Sequence, residues 1–210
     1  MAWVNTEGPE AARARIAEML QSWTTAGYHL QHYYAMTAEA QLDLYEGDPA
    51  AALQRVTDAW RPLKRSFLMV MPSVRLESLH LRARCAAATA LGAAASEQGR
   101  LQRDALRHAR KLEKRRQPWT DGLVSLVRAA VHAQQGRDER AVDTLEEAIA
   151  ALDQHDLGMY AAVARLRFAA LVQGDRGQVE REQAEQHMLE QGVVSPERLL
   201  ATFAPGFPDK

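Results

Sequence analysis

Apolar residues recur every three or four positions along most of this chain. Ala12, Ile16, Leu20 and Trp23 form one such stripe, and Leu53, Val56, Trp60 and Leu63 form a second. Leu76, Leu79, Ala83, Ala86 and Ala90 continue the pattern, followed by Leu145, Ala148 and Leu152, then Ala161, Ala164, Phe168 and Leu171. This spacing is that of a helix with one apolar face. No long stretch alternates with period two, and Val and Ile are sparse, so strands are not expected. Breaks fall at Gly27, Gly47, Pro72, Gly99, Pro118, Gly136, Gly158, Gly174 and Gly192. Between them lie about eight helical segments and a short ninth near Pro196. The connections are short, which predicts antiparallel neighbours.

The breaks themselves repeat. Gly99, Gly136 and Gly174 are spaced by close to 38 residues, and Gly47 opens the series. Ala52 and Ala141 each lie five residues after their glycine. Small residues, Ala40, Gly92 and Ala129, stand seven before three of these glycines. A glycine permits a sharp turn, and small residues let two helices approach closely. These features predict an all-α, right-handed array of helix hairpins with Gly47, Ala52, Gly99, Gly136, Ala141 and Gly174 as its turn signature. The expected layout is a lone N-terminal helix over 9–26, hairpins over 28–66, 72–116, 118–154 and 156–191, and a capping helix over 195–203.

The segment "LVRAAVHAQQGRDERAVDTLEEAIAAL" resembles a tetratricopeptide repeat. Two further stretches, the one from "QHYYAMTAEAQLDLYEGDPAAALQRV" to "RLESLHLRARCAAATA" and the C-terminal "GVVSPERLLATFAPGF", resemble the C-terminal helical region of large bacterial serine/threonine protein kinases. In that family a kinase domain and an ATPase-like middle precede a helical tail. The resemblance implies a scaffold that binds partners or restrains its own kinase domain. It carries no catalysis to this chain, which has no glycine-rich phosphate loop, no "HRD" and no "DFG".

Composition narrows the chemistry. Net charge is −1 and about half of the residues are apolar, so no global charge favours a polyanion. The single cysteine, Cys85, excludes an intrachain disulfide framework and sits where a cysteine behaves as a small hydrophobe. No apolar run approaches the roughly 20 residues of a bilayer span, and "MAWVNTEGPE" does not read as a signal peptide. A cytoplasmic protein without membrane contact is expected.

His29 and His32 lie three apart and could begin a metal site, but no third ligand or H-E-x-x-H pattern accompanies them. They read as residues of a scaffold helix, and neither metal nor cofactor is expected. No serine occupies a nucleophile elbow, and no paired acids mark a cleft, so the chain reads as a non-enzyme. Arg103, Arg107, Arg110 and Lys114 form a basic stripe opposite Leu101, Ala105, Ala109 and Leu112. No aromatic residue interleaves it, so base stacking is not suggested. The stripe reads as a solvated helix face or a contact for an acidic protein patch. A nucleic-acid-binding helical repeat is the alternative. The first helix leaves Trp3, Ala11 and Met19 without an evident neighbour, which suggests self-association through that end or cover by a preceding domain of a longer protein.

Overall fold

The computed structural model describes residues 2–24 and 26–208, with side chains from Gly8 onward. Ten α-helices and two short 3-10 turns make up the described residues, with no strand among them. The helices are α1 (Ala2–Gln21), α2 (Leu30–Tyr45), α3 (Pro49–Arg65), α4 (Pro72–Gly92) and α5 (Ala95–Glu113). They continue as α6 (Asp121–Gln134), α7 (Asp138–Gln154), α8 (Gly158–Leu171), α9 (Asp175–Glu190) and α10 (Pro196–Phe203). The 3-10 turns, Leu68–Val70 and Pro118–Thr120, precede α4 and α6.

Local chemistry accounts for the ends. Asp48 Oδ1 accepts a hydrogen bond from the Ala51 amide at 2.9 Å, and Pro49 occupies the first position of α3, where its missing N–H costs nothing. Gly47 and Gly136, at φ 84° and 68°, take the left-handed conformation between α2 and α3 and between α6 and α7. Gly174 stands at the start of α9 with φ 84°. Gly99 does not make a turn, contrary to expectation: it lies inside α5. The chain passes from α4 to α5 through Ala93 and Ala94, both extended (ψ 152° and 147°), a link that needs no left-handed residue. The link between α7 and α8 instead uses Asp156, a non-glycine residue at φ 56°.

The helices pack in neighbouring pairs: α2 with α3, α4 with α5, α6 with α7, and α8 with α9. Adjacent pairs join through α3 and α4, α5 and α6, and α7 and α8. Small residues sit where the helices come together. Ala40, Ala52, Ala105, Ala129 and Ala141 have no exposed surface at all. The larger residues Leu112, Leu145, Leu152 and Phe168 fill the main core around Ala105, Ala129 and Ala141. A second cluster, with Tyr33, Leu44, Val56, Leu63 and Leu81, joins α2, α3 and α4.

The first helix is broken at Gly8 (φ 82°) and ends at Gln21 rather than near Ala26. Ala12 and Ile16 pack on Leu42 and Tyr45 of α2. Arg13 donates to Asp43 at 2.8 Å and to Glu46 at 2.5 Å, and Arg55 of α3 donates from Nε to Asp43 at 2.8 Å. One acidic side chain on α2 thus ties α1 to α3. Trp23, expected on the packed stripe, lies beyond the helix and is 45% exposed, and Met19 is also exposed. The expectation for the Trp3 side chain falls outside the described residues. No helix among the described residues is long and apolar enough to cross a membrane.

Candidate interaction face

The C-terminal segment, 196–207, lies across the first helix of every pair. Within α10, the Arg198 guanidinium sits 5.3 Å from the Tyr45 ring of α2. Further on, the Phe203 ring meets Tyr160 of α8 edge-on at 4.9 Å and lies 5.7 Å from the Arg84 guanidinium of α4. Beyond the helix, Arg167 Nε of α8 donates to the Ala204 carbonyl at 2.9 Å, and its guanidinium rests 5.1 Å from the Phe207 ring. Gln134 Nε2 of α6 donates to the Gly206 carbonyl at 2.7 Å and to the Ala87 carbonyl of α4 at 2.8 Å. Leu199, Thr202, Ala204 and Phe207 are buried. Four helices from four pairs thus share one face, and a stretch of polypeptide occupies it.

Gly206 is necessary to this path. Its φ is 85°, and a Cβ there would stand 2.8 Å from the Ala87 carbonyl oxygen. A side chain would both strain the turn and push the segment off α4. Gln134 is held for its role by a chain of amides. Gln102 Nε2 donates to Gln134 Oε1 at 3.1 Å, and Gln135 Nε2 donates to Gln102 Oε1 at 3.0 Å.

Beneath Phe203 lie His80, Arg84 and Tyr160. Arg84 is 4% exposed, and its Nη1 donates to the Tyr160 hydroxyl at a long 3.4 Å. His80 faces the Tyr160 ring, with centroids 5.6 Å apart, and its Nε2 has no partner. Burial, aided by the Arg84 charge, pulls the His80 imidazole well below its ordinary range, so it stays neutral. Burial likewise raises the Tyr160 phenol. A gap of only about 10 Å³ remains among His80, Arg84, Leu126, Val127 and the segment above them.

The residues singled out in the sequence lie elsewhere. Arg103, Arg107 and Arg110 are exposed along α5, and Lys114 is exposed just past its end. Arg107 pairs with Asp104, which also approaches Arg82 at 3.7 Å and His108 at 3.4 Å, so the stripe is partly neutralised on its own helix. His29 and His32 organise the start of α2. The His29 amide donates to His32 Nδ1 at 3.0 Å, while His29 Nε2 contacts the Ala26 carbonyl at 2.9 Å. The His32 side chain thus returns to the N-cap amide in the manner of a capping box. No three His, Cys, Asp or Glu side chains converge on a possible metal position among the described residues. Cys85 is fully buried in α4, and burial raises its thiol to about 12.

Sequence reasoning overlooked Arg84, Gln134, Tyr160 and Arg167. A signal existed for Arg84: it is a charged residue within the otherwise small and apolar run "ARCAAATA". The segment expected to cap the last pair does touch α8, but it also crosses α6, α4 and α2. Compared with known proteins, the chain matches no family model, no curated protein and no solved structure.

Proposed function

We propose that this chain is a non-catalytic, protein-interaction or regulatory scaffold of the cytoplasm. It is read as a tetratricopeptide-like array of helix hairpins, serving as the helical tail of a signalling kinase or as a stand-alone relative of such tails. One observation carries the reading: the face shared by α2, α4, α6 and α8 holds a stretch of polypeptide through both backbone carbonyls and apolar side chains. Such a face suits a protein ligand better than a nucleic acid, because Gln134 Nε2 and Arg167 Nε donate to peptide carbonyls and buried apolar side chains fill the space between.

The test is site-specific photo-cross-linking in host cells. A photoreactive phenylalanine analogue replaces Tyr45, beside the occupied face, or Arg107, on the outer surface of α5. Cross-linking of a discrete protein from position 45 and not from position 107 is the expected result. Cross-links confined to position 107, or to nucleic acid, would overturn this assignment.

A further inference from the structure

The C-terminal segment satisfies its face through its backbone and leaves one charge unmet. Arg167 and Gln134 receive the carbonyl oxygens of Ala204 and Gly206. Among the described residues, Arg84 receives no carboxylate. Its Nε has no acceptor, its Nη1 reaches only the Tyr160 hydroxyl, and a phenylalanine ring covers it. A guanidinium that is 4% exposed and lacks a counter-charge is a costly arrangement. Acidic groups are not scarce in this protein. Arg13, Arg55, Arg128, Arg165 and Arg176 each meet one. The acid is missing at Arg84, and the neighbouring His80 Nε2 is unpartnered as well.

The occupant is held by the face and is tethered at one side. The link from α9 runs through Gly192 to Val194, which is 69% exposed, and Phe203 itself is only partly buried. Its release would open a continuous face with apolar seats vacated by Leu199 and Phe207, two amide and guanidinium donors for backbone carbonyls, and Arg84 at the centre.

Resting on the scaffold reading above, we propose that segment 196–207 is an intramolecular stand-in. The face beneath it docks a segment of a protein partner that presents a carboxylate to Arg84 where Phe203 now lies, with apolar residues on either side. The partner competes with a tethered occupant, whose effective concentration is high. Binding therefore demands the added ion pair that the occupant lacks, which makes Arg84 the selectivity element.

The experiment uses the full chain and three synthetic peptides with the sequence of residues 195–208: the parent sequence, F203E and F203Q. Binding is read by calorimetry, and release of the resident segment by amide hydrogen exchange at 199–207. The F203E peptide is expected to bind about ten-fold or more tighter than F203Q, the scale of a charge-assisted contact in a dry site. It should also accelerate exchange at 199–207. In an Arg84→Met chain that advantage should vanish. Should that variant not fold, the comparison of F203E with F203Q on the parent chain decides alone. Equal affinity of those two peptides overturns the proposal, as does binding of F203E without faster exchange at 199–207. A parent peptide that outbinds F203E would mean that the face takes the same segment from a second copy, and would overturn it too. The two readings fail separately. Cross-linking from position 45 with indifferent peptides rejects the carboxylate rule alone, whereas cross-links confined to position 107 reject the scaffold face.

Discussion

Gly122 of α6 lies so close to Leu152 of α7 that a Cβ on the glycine would stand 2.5 Å from Leu152 Cγ and 3.0 Å from the Ala148 carbonyl oxygen. The third pair is therefore held at a separation that only glycine allows. Gly122→Ala should destabilise the fold by about 1–3 kcal/mol through overpacking, despite alanine's better helix propensity. Ala141→Leu, at a position with no exposed surface in the same pair, should do the same. Thermal unfolding followed by circular dichroism checks both. Unchanged midpoints would mean that α6 and α7 are free to separate.

Asp43 is the acidic link between α1, α2 and α3, and it is 4% exposed. Asp43→Asn keeps its shape and removes its charge. The expected loss is about 1–3 kcal/mol, because charge-assisted hydrogen bonds at a buried acceptor are weakened. Arg13 and Arg55 keep about a third of their surface in water, which places the effect toward the lower end. The exposed pair of Arg128 and Glu113, broken by Glu113→Gln, should cost less than about 1 kcal/mol. Urea titrations of the two variants measure the difference. Equal losses would show that Asp43 ties nothing together.

His80 should make stability depend on pH. Its folded pKa is lowered by burial and by Arg84, and His108 and His132 are lowered as well, chiefly by burial. Above the ordinary histidine value of 6.5, both the folded and the unfolded chain hold these rings neutral. Below it the unfolded chain binds protons that the folded chain refuses. Stability is thus fully present above pH 6.5 and falls on acidification, by up to about 1.4 kcal/mol per pH unit for each fully buried ring. Urea midpoints at pH 7.5 and 6.5 should lie close together, the midpoint at pH 5.5 should be clearly lower, and His80→Gln should flatten the trend. A parent and variant with the same slope would remove His80 from this account.

The thiol of Cys85 is sealed within α4 and raised to about 12, so little thiolate is present near neutrality. It should resist alkylation by iodoacetamide in the native chain and react at the rate of a free thiol in denaturant. Rapid native labelling, with folding intact, would mean that α4 opens locally.

The basic stripe of α5 lies apart from the occupied face. Arg107→Glu with Arg110→Glu should leave the helical spectrum intact and should not alter peptide binding at Arg84. Binding of the parent to a generic oligonucleotide should be weak. Tight, steeply salt-dependent binding abolished by the double reversal would instead support the nucleic-acid alternative.

Much of the helical architecture was legible along the chain because its causes are local. Period-three and period-four apolar stripes and the glycines at 47, 136 and 174 each act within one or two turns of backbone. Gly99 misled for the same reason: a glycine is permitted a turn but does not compel one, and the extended Ala93–Ala94 link reversed the chain six residues earlier. The first helix was read too long because Trp23 falls on its stripe by spacing alone, whereas in the fold it lies beyond Gln21 and stays 45% exposed.

The candidate site belongs to the other category. "SPERLLATFAPGF" announces a short amphipathic helix followed by a turn, and nothing in its spacing says which surface it will meet. That surface exists only after four helix pairs have stacked, bringing Tyr45, Arg84, Gln134 and Tyr160, far apart in sequence, onto one face. Its position depends on the accumulated angles between pairs, to which every buried side chain contributes a little. The sequence by itself determined that the chain is helical and where most helices begin and end. Only the tertiary structure decided that the last helix returns across the first helices of the pairs and covers a buried guanidinium with a phenylalanine ring, because that contact is long-range and has no local signature.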